Sequence, residues 1–215
     1  MDVNKIVWKA VLTAFISALS LIFIMLGALC LFFPSTMMEF SYNIGCDKMS
    51  ASFAKTAYDR TNDIYYIVRA TEVSIGVDDT DGIIEYGELL VKDDEFSQYC
   101  MQKNANLPSY GDYQATGKYE QYVYSKICIS IYHKDVTRAI HRAFLTLGIE
   151  ETTTVLTVFP RQNAVMALYV HARLQNDTQT VSIIKGKIEE LQANLSGDDK
   201  AYYDEMLAFM QRENG

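Results

Sequence analysis

Proline, tryptophan, histidine and cysteine are all scarce in this chain: three, one, three and four among 215 residues. Each scarcity excludes something. Pro34, Pro108 and Pro160 stand far apart and act as punctuation, so no proline-rich linker separates domains. Cys30 lies in a long apolar run, which leaves Cys46, Cys100 and Cys128, an odd number with no CxxC and no zinc-ligand spacing. A disulfide framework and a structural zinc site are therefore not expected. His133 and His141 are eight apart, not the four that would put two ligands on one helix face, and HExxH is absent. GxSxG and a Gly-rich phosphate loop are also missing, and the Gly-Lys pairs at 117–118 and 186–187 lack the Ser or Thr that would follow in a P-loop. No catalytic residue and no cofactor are expected. Basic charge is short as well: 19 Lys and Arg against 27 Asp and Glu give a net charge of −8. Such a balance points away from nucleic acid, whose phosphates need basic patches.

What the chain has in quantity is an unbroken apolar run. Residues 10–33 carry no charge, and their number exceeds the ~20 that a helix needs to cross a bilayer core. Thr13, Ser17 and Ser20 within it can bond to their own helix carbonyls, so they do not oppose insertion. A cleaved signal peptide would have a shorter apolar region, ~7–15 residues, and Ala28-Leu29-Cys30 is a poor cleavage site. Lys5 and Lys9 precede the run, and the next cation is Lys48. The positive-inside rule then predicts a short cytoplasmic N-terminus over 1–9, a transmembrane helix over 10–33, and an extracytoplasmic α-helical domain over 34–215. The expected location is the cell membrane, crossed once.

Beyond the run, apolar residues recur three and four apart and strand-like alternation is missing, so the domain is expected to be all-α. After a lead-in segment at 35–44, helices are predicted over 48–60, 63–75, 83–91, 94–103, 119–133, 138–147, 163–174, 178–195 and 198–211. Residues 76–82 read as a turn, 104–118 as a loop, and 152–159 as a locally β-prone stretch. Short turns between paired helices suggest stacked antiparallel hairpins.

Asp135 followed by Ala139 and Ile140 carries a family resemblance. Tetratricopeptide repeats place an Asp in the turn between paired helices, with a small residue and Ile four and five later. Asp79 with Ile83 and Ile84 is similar, and Asp177 with Val181 is a poorer third copy. The chain thus resembles a tetratricopeptide-like repeat protein over residues 63–193, discontinuously. It departs from the pattern where Thr71, Ile127 and Tyr169 replace the small residue of the first helix. The intervals from Asp79 to Asp135 and Asp135 to Asp177 also differ from the family's ~34 residues. The resemblance implies that the first helix of each hairpin lines a groove. The polar and aromatic candidates there are Tyr65, Arg69, Glu72, Gln121, Tyr124 and Arg173.

The fifteen tyrosines suit such a surface, since Tyr adds contact area with few rotamers to freeze. The expected function is a membrane-anchored interaction scaffold or accessory subunit, whose partners are other proteins of a membrane complex. The alternative is a calcium-responsive sensor. Asp79, Asp81, Gly82 and Glu88 follow part of an EF-hand loop, although its first ligand position falls on Val77, which has no side-chain oxygen.

Overall fold

The computed structural model describes residues 3–105, 118–146 and 159–212. Among them are eleven helices and no strand, as the periodicity predicts. Most of the predicted loop at 104–118 and of the β-prone stretch at 152–159 lies outside the described residues. The chain divides into two compact units, residues 1–77 and 78–215.

The first unit holds α1 (Val3–Phe32), α2 (Pro34–Asn43), α3 (Asp47–Thr61) and α4 (Ile64–Gly76). Helix α1 is long and apolar enough over Val7–Phe32 to span a membrane, and none of that stretch is buried in the protein. It reaches further toward the N-terminus than the predicted 10–33. Pro34 ends it as expected, but by starting a new helix. Phe33 leaves helical geometry (φ −131°, ψ 60°) and Pro34 occupies the first turn of α2, where a missing N–H costs nothing. The lead-in segment is therefore helical.

Helix α3 packs between α2 and α4. It can do so because its buried face is Ser50, Ala51, Ala54 and Ala57, small side chains that let both neighbours come close. Met37 and Met38 of α2, and Ile67, Val68 and Ala70 of α4, fill the space. The buried Ser50 hydroxyl donates to the Met38 carbonyl (2.9 Å), tying α3 to α2. Between α3 and α4 the chain turns in two residues. Asn62 takes the left-handed conformation (φ 54°), and the Asp63 carboxylate caps α4 by accepting from the Tyr65 N–H (2.9 Å).

The second unit holds α5 (Thr80–Leu90), α6 (Phe96–Ala105), α7 (Lys118–Tyr132), α8 (Val136–Thr146), α9 (Phe159–Leu174), α10 (Thr178–Ala193) and α11 (Asp198–Arg212). Helix α7 is its centre, packed against α5, α6, α8 and α9, while α9 also meets α8 and α10, and α11 covers α10. Val123, Ile127, Cys128 and Ile131 of α7 are fully buried, which a helix contacted on several sides requires. The turn into α8 follows the expected chemistry: Asp135 accepts from the Arg138 N–H (3.0 Å), and Ala139 is fully buried. Asp177 caps α10 in the same way, accepting from the Thr180 N–H (2.9 Å).

Within the first unit α4 packs on α3, and within the second α5 packs on α7. One expectation is corrected: the predicted turn at 76–82 is shorter, because α5 begins at Thr80 and Gly82 is buried inside it.

Candidate functional site

Tyr65, Arg69, Glu72 and Gly76 recur at intervals of four, three and four, so α4 presents them along one face. Tyr65 is exposed, its ring edge-on to Tyr66 at 5.4 Å. Arg69 and Glu72 are half-buried and line a cleft of about 260 Å³ with Tyr42 of α2, Asp47 at the start of α3, and Val73 and Gly76 of α4. The Arg69 guanidinium lies 4.7 Å from the Tyr42 ring centroid, a cation–π contact that holds its long side chain in place. One cation and two carboxylates thus face a small opening with an aromatic wall. That set offers charge-assisted hydrogen bonds beside a pre-positioned arginine and tyrosine. Two of the six predicted partner-binding residues, Arg69 and Glu72, meet here, and Tyr65 lies one turn away on the same face. Tyr42 and Asp47 join them with no signal in their local sequence, because only the packing of α2 on α3 brings them to α4.

The other three predicted residues lie in the second unit. Gln121 and Arg173 are half-buried on α7 and α9. Tyr124 is 8% exposed, with its ring edge-on to Phe96 of α6 at 6.4 Å. The expectation that Tyr124 lies on an open groove face is corrected: α6 covers that side of α7.

The alternative cation loop is also corrected. Asp81 and Glu88 belong to one continuous helix, seven residues and so roughly 10 Å apart along its axis, too far to share an ion. Both are engaged by cations. Asp81 pairs with Lys134, and Glu88 with Arg138 (3.1 Å) and Arg142 (3.7 Å). Asp79 precedes the helix, its carbonyl accepting from the Ile83 N–H. Among the described residues, no three His, Cys, Asp or Glu side chains come together as a metal site would need.

A second cluster was not legible in the sequence. Tyr132 ends α7, His133 follows it, His171 lies on α9, and their rings meet edge-on. The His133–His171 centroids are 4.9 Å apart and the Tyr132–His171 centroids 5.2 Å. The Tyr132 hydroxyl donates to Asp177 (2.7 Å), and so does the Thr180 hydroxyl (2.7 Å). The Thr180 N–H and hydroxyl, with the Tyr132 hydroxyl, hold the Asp177 carboxyl below the usual range. Burial, and then the neighbouring His133, lower the pKa of His171, whose Nε2 is buried without a hydrogen-bond partner.

This cluster has a pH signature. Above the ordinary histidine pKa of ~6.5, His171 is neutral in both folded and unfolded chains. Below it, the unfolded chain takes up a proton that the folded chain resists, so stability falls as pH falls. Thermal unfolding followed by circular dichroism should show a lower Tm at pH 5.5 than at pH 7.5. In His171→Gln the difference should shrink; an unchanged pH dependence would remove His171 from the account.

The two free thiols of this unit, Cys100 and Cys128, are buried. Burial, and secondarily Glu120, push Cys100 up to about 12, and burial does the same for Cys128. Comparison of the chain with protein families, curated proteins and solved structures returns no match, so no relative assigns a role to either cluster.

Proposed function

We propose that this protein is a membrane-anchored interaction subunit that crosses the bilayer once through α1 and binds a protein partner through the face of α4. The observation that carries the reading is the cleft in the first unit. There Arg69, stacked on Tyr42, stands with Glu72 and Asp47, and the exposed Tyr65 lies one turn away on the same helix. Exposed, pre-ordered Tyr and Arg are the side chains most often responsible for binding energy at protein interfaces. The charge-free length of α1 supports the anchor, and Lys5 and Lys9 before it support an extracytoplasmic location for residues 34–215. The packing order in the second unit, α7 on α8 and α9, and α9 on α10, supports reading it as tetratricopeptide-like hairpins. On that reading the second unit serves as a scaffold.

Crosslinking in native membranes followed by mass spectrometry tests this. The wild-type chain should yield a reproducible protein crosslink, and Arg69→Ala or Tyr65→Ala should reduce its yield by roughly fivefold, the equivalent of ~1 kcal/mol. Equal yields from all three would reject the α4 face. An impermeant protease added to intact cells should remove residues beyond the anchor; protection until the membrane is broken would reverse the orientation.

A further inference from the structure

Helix α2 buries Pro34, Met37, Met38 and Ser41 against the rest of its unit. Its other sides differ in character. Thr36, Glu39 and Asn43 form an exposed polar face opposite the core. Between that face and the core lies an exposed apolar flank. Phe33, Phe40 and Ile44, spaced by seven and four residues, fall on one stripe, and they are 56%, 53% and 56% exposed. Two aromatic rings and an isoleucine, on α2 and its two caps, left to water on one side need a cover.

The chain itself says what is near. Phe33 directly follows α1, whose large apolar side chains are exposed all round and which is long enough to span a bilayer. The break at Phe33 (φ −131°, ψ 60°) ends the α1 axis, so α2 is free to take another direction. Ten residues give α2 a length of ~15 Å, whereas the interfacial layer on each side of the hydrocarbon is only roughly 5–8 Å deep. A helix standing upright would carry Ile44 out of that layer; one lying flat keeps all three side chains in it. The only charge on α2 is Glu39, on the face away from the stripe, and no cation lies between Lys9 and Lys48. The contact is therefore apolar, suited to zwitterionic as well as anionic lipid.

We propose that α2 lies along the membrane surface with Phe33, Phe40 and Ile44 set into the lipid interface. This rests on the reading that α1 spans the bilayer. The consequence is that α3, packed on α2, and α4, packed on α3, are held at a fixed height above the bilayer.

Tryptophan quenching in full-length protein tests both readings separately. The single Trp8 is replaced by Phe, and one Trp is introduced at Ile22, Phe40, Ile44 or Asn43. The protein is reconstituted in phosphatidylcholine vesicles carrying bromine either near the headgroup or near the bilayer centre. Ile22→Trp should be quenched most by deep bromine. Phe40→Trp and Ile44→Trp should be quenched by shallow bromine at least twofold more than Asn43→Trp, and salt should not change the ratio. Quenching at Ile22→Trp with Phe40→Trp and Ile44→Trp no more quenched than Asn43→Trp overturns the surface helix and leaves the span; a protein covering the flank would give that result. Absence of deep quenching at Ile22→Trp overturns the span and the surface helix with it.

Discussion

Tyr169→Ala should destabilise the second unit by about 3–5 kcal/mol, the range for removing a large aromatic side chain from a packed core. Tyr169 is 1% exposed on α9, among Val165, Leu168 and Ala172, and its hydroxyl donates to the Met210 carbonyl of α11 (3.3 Å). It therefore joins two helices that flank α10. Urea unfolding of the full chain in mild detergent, followed by circular dichroism, should show the second unit's transition moving down by roughly 2 M, given a slope of ~2 kcal/mol per M. Tyr169→Phe keeps the ring and loses one hydrogen bond, so it should cost only about 0.5–1.5 kcal/mol. A midpoint that stayed in place in Tyr169→Ala would mean that α9 does not pack as described.

Tyr124→Ala is expected to behave as a core mutation of similar kind, costing about 3 kcal/mol, and not as a groove mutation. Its ring is buried against Phe96, so truncation leaves a cavity between α6 and α7. Arg69→Ala should separate from it cleanly. Arg69 is half-buried at an open cleft, and its loss removes a cation–π contact worth about 0.5–1 kcal/mol at such sites. The first variant should therefore lower Tm by several degrees, and the second should lower crosslinking yield with little change in Tm. If Tyr124→Ala left Tm unchanged and cut crosslinking instead, the binding face would have to move to α7.

The tetratricopeptide-like motif illustrates how far a local pattern reaches. At Asp135 and Asp177 it located real caps, because an N-cap bond closes within three residues and needs nothing from elsewhere. It does not say which helix packs on which: α4 rests on the alanine face of α3, and α3 lies outside the motif. The EF-hand-like spacing misled for a related reason. A ligand pattern presumes a loop, and the stretch from Thr80 to Leu90 is helical, with its acids answered by Lys134, Arg138 and Arg142 some fifty residues later.

The sequence by itself determined the all-α class, the long apolar N-terminal helix, the break at Pro34 and most helix positions. These depend on composition and on periods of three and four, which any stretch of chain carries within itself. Its stripe of Tyr65, Arg69 and Glu72 was equally legible, since one helix turn relates each residue to the next. Tertiary structure alone decided that Tyr42 would reach Arg69, that α6 would cover Tyr124, and that His133 would face His171 across 38 residues. Those outcomes depend on how side-chain volumes mesh between helices distant in sequence, and no local period encodes that.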